Sequence, residues 1–216
     1  MMITGRTGPV KFRETPLSNL WPMTREYELK RRAEQMADTR RRIVEAAIEL
    51  HQELGPARTS VSAIADRAGV QRQTYYRHFP DLRSLQLACS GLHLERNPPP
   101  DPRAWRAITD PYQRLRTGLG ELYAYYAANE PMLANVIRDA ETDPVTREIA
   151  ELRMAALAEL REALAEGLQH NGSSPRLVAA LGLATDFHTW RLLVRRHGLP
   201  PSEAAELVVS IIRCLN

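Results

Sequence analysis

The sequence predicts an all-α protein, with an N-terminal three-helix head followed by a larger C-terminal helical bundle. Two observations carry this prediction. Apolar residues recur at the i, i+3, i+4, i+7 spacing of one helix face over most of the chain. Helix starts are marked by an N-capping residue followed by Pro, as at Asp110-Pro111, Asp143-Pro144 and Ser174-Pro175. An apolar content of 44% in 216 residues is enough for a buried core.

The head is predicted between residues 39 and 85 as three short helices. The first carries one buried stripe, from Ile43 to Leu50, and ends at Gly55-Pro56. Ser60 is a good N-cap for the second helix. Gly69 follows that helix and permits a tight turn, because glycine adopts positive φ without steric cost. A third helix over residues 71–76 completes a helix-turn-helix, whose second member enters the DNA major groove.

This stretch resembles the DNA-binding domain of the tetracycline-repressor (TetR) family of transcription regulators. The resemblance covers about 47 residues in order. The matching residues are Ile43, Ala46, Ala47, Leu50, Gly55, Ser60, Val61, Ile64, Ala65, Ala68, Gly69, Val70, Thr74, Tyr76, Phe79, Pro80 and Leu85. Two positions depart from the family pattern. His51 stands where the family has an aromatic residue, and Leu82 stands where it has a lysine that contacts a phosphate. Arg83 could supply the missing phosphate contact only if the start of the helix is rotated.

Candidate DNA contacts follow from side-chain chemistry and from the resemblance. Arg and Gln read base edges through bidentate hydrogen bonds, so the first turn of the recognition helix is predicted to read sequence. The resemblance implies phosphate contacts at the end of the helix, although Tyr76 also suits the core and His78 also suits a helix cap. Tyr75 is expected to pack on a thymine methyl group or on the sugar backbone. The predicted contacts are Arg41, Ser60, Ser62, Gln71, Arg72, Gln73, Thr74, Tyr75, Tyr76 and His78.

The N-terminal segment divides into two parts. Residues 1–23 contain several Gly and Pro residues with little periodicity, which predicts a disordered tail. From Thr24 the pattern is helical and contains neither Pro nor Gly before Gly55, so the first helix is predicted to be unusually long. Its upstream part is rich in Arg. This part is either a solvated, frayed helix or a basic arm that contacts phosphates or a minor groove.

Residues 24–80 are therefore predicted to form the DNA-binding domain, and residues 81–216 the bundle. Asp81 caps the first bundle helix, and the proline-rich segment 97–102 is predicted to be a loop. Further helices are predicted from 110 to 129, after Pro131, from 143 to 172, from 174 to 198 and from 202 onward.

The last two predicted helices carry more apolar surface than one protomer can cover. We therefore expect a homodimer interface, as the resemblance also implies, formed by Leu181, Leu192, Leu207, Val208, Ile211 and Ile212. The resemblance further implies a pocket for a small apolar effector in the bundle. The candidate pocket residues are Trp105, Tyr123, Tyr126, Met154, Phe187 and Trp190, although each also suits an ordinary core.

Charge and cysteine usage limit the class of protein. Residues 1–85 hold 15 basic against 10 acidic side chains, and residues 86–216 hold 14 against 16. A basic N-terminal part suits a polyanion. Two cysteines make neither a disulfide framework nor a zinc pattern, and no apolar run is long enough to span a membrane, which indicates a cytoplasmic protein. Cys89 and His93 share a helix face, but without a third ligand we predict no metal, and we predict no cofactor and no catalytic site.

The function predicted is sequence-specific DNA binding at a palindromic operator, most simply as a repressor released by a small apolar ligand. An alternative is a regulator or DNA-organising protein controlled by a protein partner, which a bundle without a cavity would favour. An enzyme on an all-α scaffold would instead require a cleft with convergent titratable groups.

Overall fold

The computed structural model of the protein describes residues 21–168 and 174–215, and these residues fold almost entirely as helices. The helices are α1 (Trp21–Glu53), α2 (Val61–Arg67), α3 (Arg72–His78), α4 (Leu82–Arg96), α5 (Pro102–Arg106), α6 (Pro111–Ala140), α7 (Pro144–Ala165), α8 (Pro175–Ala184), α9 (Phe187–Arg191) and α10 (Pro201–Leu215). A 3₁₀ turn (Pro56–Arg58) follows α1, and a π-helical segment (Leu192–Arg196) follows α9. The all-α prediction is confirmed.

The chain divides into two compact units between Arg41 and Arg42. The first unit contains the N-terminal part of α1, where the described side chains are almost all exposed. The second unit contains the rest of α1 and all later helices. The predicted boundary at residue 80 does not coincide with this division. Of the predicted tail, residues 1–20 lie outside the described residues, whereas residues 21–23 already belong to α1.

The helix-turn-helix has its own hydrophobic core within the second unit. Ile43, Ala47 and Ile64 are fully or almost fully buried there, together with Phe79 from the end of α3. Met132 of α6 also belongs to this core, so the bundle contributes directly to the packing of the head. This shared core explains why the chain does not divide after residue 80.

Helices α6, α7 and α10 surround the core of the bundle, and α6 is longer than the sequence predicts. A break was expected at residues 129–131, but α6 continues through Pro131 to Ala140. Pro131 removes one backbone donor, yet Tyr126 and Met132 on either side are buried. The packing of these side chains outweighs the local preference of proline to end the helix.

The single helix predicted over 174–198 is also wrong, because α8 ends at Ala184. Asp186 begins α9 by accepting hydrogen bonds from the backbone amides of His188 (2.7 Å) and Thr189 (3.1 Å). An Asp side chain that binds these amides competes with continuation of the preceding helix. In the same way Asp101 caps the short helix α5, which begins at the last residue of the predicted 97–102 loop. The predicted end of the 143–172 helix at Asn171-Gly172 lies outside the described residues, and α7 ends at Ala165.

Among the described helices, none is by itself both long and apolar enough to cross a membrane. Helix α8 together with residues 187–196 reaches the required length and composition only as a pair bent by 57°.

Candidate DNA-binding surface and ligand cavity

The turn before the recognition helix is held by backbone geometry and by one arginine. Gly69 has a φ of 64°, and the amide of Val70 donates to the carbonyl of Ala65 over 2.9 Å. Arg42 of α1 donates to the carbonyl of Ala68 over 3.3 Å. These contacts fix where α3 begins, and therefore which of its side chains face outward.

The first turn of α3 presents the predicted base-reading residues to solvent. Gln71 is the N-cap, with extended backbone angles and no side-chain capping bond. Gln71, Arg72 and Gln73 are all exposed, and Arg72 makes no hydrogen bond or ion pair with any described residue. Their donors and acceptors are therefore available for base edges or phosphates.

Tyr75 requires a correction, because its side chain is only 1% exposed. Its ring packs in the head core, 6.1 Å from the ring of Phe79 four residues later. Burial raises the pKa of its phenol to about 12. Tyr75 is therefore a core residue and not a DNA contact. Its neighbour Tyr76 is 50% exposed, which removes the core alternative for that side chain.

The remaining predicted DNA contacts differ in how free they are. Ser60 caps α2, accepting a hydrogen bond from the amide of Ala63 over 3.2 Å, and its hydroxyl proton stays available to a phosphate. Ser62, Thr74 and His78 are half-buried on the same helix pair.

Arg41 belongs to the N-terminal unit, where its guanidinium donates to Asp38 over 2.8 Å. An exposed ion pair of this kind contributes little to stability, so Arg41 could exchange Asp38 for a phosphate at little cost.

Two further arginines of the head were not predicted from the sequence. Arg77 on α3 and Arg58 in the 3₁₀ turn are exposed and have no hydrogen-bond or ion-pair partner among the described residues. The signal that identifies them is the absence of a carboxylate partner, which only the structure reveals. Arg83, in contrast, is bound to Glu148 of α7 through three hydrogen bonds of 2.6 to 3.1 Å. Arg83 would have to give up this bidentate pair to contact a phosphate in place of the missing lysine at position 82.

A cavity of about 340 Å³ lies inside the second unit, between α4, α6, α7 and α9. Such a volume is within the range of small-molecule sites. Its wall is predominantly apolar and includes Leu94, Tyr126, Met132, Val136, Ile149 and Phe187. The wall also contains polar side chains, and two of them, Gln86 and Thr146, bind each other over 3.1 Å.

The predicted pocket residues separate into two groups. Tyr126, Met154 and Phe187 line the cavity. Trp105, Tyr123 and Trp190 are fully buried in the bundle core and do not line the cavity. The Tyr123 hydroxyl donates to the carbonyl of Ala184 over 3.0 Å, and burial raises its pKa to about 12. For these three residues the ordinary core role is the correct one.

His51, which departs from the family pattern, lies on the cavity wall. Its side chain is 3% exposed, and its Nε2 has no hydrogen-bond partner among the described residues. Burial lowers the pKa of His51 to about 4, although the nearby charge of Asp139 opposes this shift. The imidazole is therefore neutral at physiological pH.

The same cavity reaches the head through Pro56, next to Gly55 at the end of α1. The last turns of α6 bind this region. Asn135 donates to the carbonyls of His51 (3.1 Å) and Gln52 (2.9 Å) in the last turn of α1. The His51 carbonyl also accepts from the backbone amide of Gly55 over 3.0 Å.

Asp139 and Arg138 complete this junction, which we call the α1–α6 latch (Asn135, Arg138 and Asp139). The buried carboxylate of Asp139 accepts from the amide of Ala57 over 2.9 Å, and Arg138 donates to the carbonyl of Leu54 over 2.8 Å. The latch connects a wall of the cavity with the helix that supports α2 and α3.

The predicted dimer residues likewise separate into two groups. Leu181, Val208 and Ile212 are buried within the protomer and are corrected to core residues. Leu192, Leu207 and Ile211 are 42% to 53% exposed. Val178, Leu183 and Leu215 are also large exposed apolar residues of α8 and α10. Helices α8 and α10 do expose apolar side chains, as the sequence indicated, but three of the six predicted interface residues pack inside the protomer. A helix that is apolar on more than one face does not show from sequence which face is buried.

The described residues contain no group of three or more metal-ligating side chains close enough to hold an ion. Cys89 is buried, with its Sγ 3.8 Å from the carbonyl of Val44.

Comparison with known proteins agrees with this architecture. Residues 43–89 match the family described as bacterial regulatory proteins, tetR family. The HTH-type transcriptional repressor KstR of Mycolicibacterium smegmatis is 32% identical over 108 residues, which are 50% of this chain and 52% of KstR. The chain thus spans about half the length of this curated relative.

Solved structures extend the likeness over most of the chain. NalD, the secondary repressor of the MexAB-OprM multidrug efflux pump in Pseudomonas aeruginosa, is 25% identical with a TM-score of 0.57, over 83% of this chain and 95% of NalD. The transcriptional regulator FadR of Bacillus subtilis, solved with stearoyl-CoA, is 18% identical with a TM-score of 0.55, over 79% and 96%.

Fold and surface together define the class, a helix-turn-helix protein with a cavity in its second unit. Residues 43–89 thus match the model of the tetR family of bacterial regulatory proteins, and most of the chain shares the fold of solved TetR-family regulators such as PfmR of Thermus thermophilus.

Proposed function

We propose that the protein is a transcriptional repressor that binds a palindromic operator as a homodimer and is released by a small apolar effector. The observation that carries the proposal is the first turn of α3. There, Gln71, Arg72 and Gln73 are exposed beside a fixed turn. Arg suits guanine and Gln suits adenine in the major groove. We further propose phosphate contacts for Ser60, Ser62, Thr74, Tyr76, His78 and Arg41, with Arg58 and Arg77 added.

The dimer brings two recognition helices to successive half-sites. We assign the interface to the exposed apolar side chains of α8, the π-helical segment and α10, with Leu192, Leu207 and Ile211 at its centre. Large exposed apolar patches typically mark interaction surfaces.

Release is proposed to act through the cavity. An occupant would contact His51 and Pro56, and both adjoin the α1–α6 latch. A ligand that favours one arrangement of the latch shifts the population of heads competent for DNA. The cavity supports control by a small molecule over the alternative of control by a protein partner. The stearoyl-CoA bound to FadR and the repressor names of KstR and NalD are consistent with this proposal.

The test is selection of bound sequences from random duplex DNA with the purified full-length chain at a stated salt concentration. Recovery of a palindrome supports the proposal and supplies the probe for an effector screen. Binding without any enriched motif, in protein shown to be free of ligand, would overturn sequence-specific repression and favour a DNA-organising role.

A further inference from the structure

Two arginines on one helix mark the cavity as unlike a purely apolar pocket. Arg153 and Arg161 of α7 both line it. They lie eight residues apart, a rise of roughly 12 Å along the helix. Between them Leu157 is also part of the wall, so α7 contributes two cationic side chains and an apolar side chain to the same cavity.

Neither arginine is neutralised by a carboxylate among the described residues. Arg153 donates through Nε to the hydroxyl of Ser90 over 2.7 Å, and Arg161 through Nε to the carbonyl of Leu157 over 3.4 Å. A guanidinium has five N–H donors, so most of the donors of each arginine are unused. In contrast, Arg83 and Arg106, which do not line the cavity, are each paired with a Glu of the α7 region.

Asp186 is the one carboxylate among the described residues that line the cavity. Its Oδ1 accepts the amides of His188 and Thr189, so its charge is committed to the N-terminus of α9. It makes no ion pair with either arginine. Burial lowers the pKa of two histidines of the wall, His51 and His93, which favours the neutral form of each.

The positive field of the arginines reaches the cavity interior. The charge of Arg153 acts to lower the pKa of Tyr125, and that of Arg161 acts to lower the pKa of Tyr126, although burial raises both overall. Both tyrosines line the cavity. An anion at this position would replace water around the arginines and gain charge-assisted, bidentate hydrogen bonds.

We propose that the effector is an anionic amphiphile, with an apolar body against the wall of α4 and α6 and a carboxylate or similar anion bound by Arg153 and Arg161. This proposal rests on the proposed function, since it specifies the ligand of the same cavity. It separates that ligand from neutral apolar molecules and from lipophilic cations, which the arginines would repel.

The test is calorimetric titration of the full-length protein with three probes of equal chain length: decanoate, decan-1-ol and decylamine. We expect decanoate to bind about ten-fold more tightly than decanol, and decylamine not to bind. Arg153→Gln and Arg161→Gln should each weaken decanoate about ten-fold and leave decanol unchanged. Arg176→Gln, an exposed arginine of α8 away from the cavity, is the matched control. Ala150→Phe, which fills the cavity wall, should weaken decanoate and decanol alike.

Equal affinity for decanoate and decanol, or a decanoate affinity that neither Arg variant changes, would overturn the anionic assignment and leave the proposed repressor function intact. Failure of all three probes to bind would overturn this assignment together with the proposed role of the cavity. DNA binding, measured separately by sequence selection, would still decide the role of the head. The thermal midpoint of each variant verifies that a lost affinity is not a lost fold.

Discussion

The backbone amide of Ala57 donates a hydrogen bond of 2.9 Å to Oδ2 of Asp139, 82 residues further along the chain. One partner lies in the turn that leads into α2, and the other in the last turn of the longest bundle helix. Because the carboxylate is buried, this bond has no water to replace it. The junction between head and bundle is therefore a specific polar contact as well as a packed one.

Replacing Asp139 with Ala should lower the free energy of unfolding by about 1–3 kcal/mol, since it leaves the Ala57 amide without its acceptor. Chemical denaturation followed by circular dichroism measures this change. Asp66→Ala, on the exposed surface of α2, is the control and should change stability little. Equal stability of the two variants would show that the α1–α6 latch does not stabilise the fold.

Gly55→Ala should destabilise the protein for two independent reasons. Gly55 has a φ of 99°, which side chains rarely adopt, and an added Cβ would overlap both Arg138 Nη2 and Asp139 Oδ2. Gly91→Ala is the matched substitution, because a Cβ at this exposed helical position meets nothing within 4 Å. We expect Gly91→Ala to raise stability by about 0.5–1 kcal/mol and Gly55→Ala to lower it, as measured by urea titration. If both substitutions changed the free energy of unfolding in the same direction, the close packing of Gly55 against Arg138 and Asp139 would be contradicted.

Stability should depend on pH through His51. Its folded pKa of about 4 lies below the ordinary value of 6.5, so the unfolded chain binds the proton more readily. The free energy of unfolding should therefore fall as the pH is lowered from 6.5 through 4, by about 3 kcal/mol at most. His51→Phe should remove this part of the pH dependence, whereas the exposed His197→Gln should not. Denaturation midpoints at pH 4.5 and 7 measure the difference, and an unchanged slope in His51→Phe would refute the assignment.

Arg72→Ala should weaken binding to the selected operator by about 1–3 kcal/mol and relax the base preference at one position. Arg77→Ala should instead weaken binding to all DNA sequences alike. It should also reduce the slope of log K against log salt concentration by about one. Fluorescence anisotropy over a range of salt concentrations distinguishes the two. Arg103→Ala, which removes an exposed ion pair with Asp101 on α5, serves as control. If Arg72→Ala weakened binding to all sequences equally, Arg72 would be a phosphate contact and not a base contact.

Ile211→Glu should dissociate the proposed homodimer, because it places a charge in the centre of an exposed apolar face. The control is Leu152→Glu, since Leu152 is equally exposed on α7. Sedimentation velocity should show a monomer for the first variant and a dimer for the second. A dimer that persists in Ile211→Glu would exclude this face.

Local sequence signals predicted the parts of the fold that depend on local geometry. The caps at Ser60, Asp81, Asp110 and Asp143 were predicted because an N-cap acts within three residues of its own position. The continuity of α6 through Pro131 was not, since it depends on side chains brought from other helices. The break at Thr185 was missed for a related reason, because an apolar stripe on both sides concealed the capping role of Asp186.

The candidate site shows the same limit. Residue type and helix position identified Arg72 and Gln73, because exposure at the start of a short helix follows from the turn before it. Whether Tyr75 or Tyr76 faces the core depends on the rotation of the helix, and a shift of one residue turns an α-helix by about 100°. Arg77 and Arg58 are candidate DNA contacts because they have no ion-pair partner among the described residues. No sequence pattern shows whether an arginine is paired.

The two adjacent tyrosines of α3 should diverge differently under natural selection. Tyr75 is held by its neighbours in the head core, so tolerated replacements there will be those that keep an aromatic volume, whichever operator the protein binds. Tyr76 contacts the ring of Tyr75 along one edge (5.3 Å between centroids) but is half exposed, so its variation among related regulators should follow changes in the operator. Variation at two neighbouring positions of one short helix would thus be limited by different requirements, the packing of the core at one and the recognition of DNA at the other.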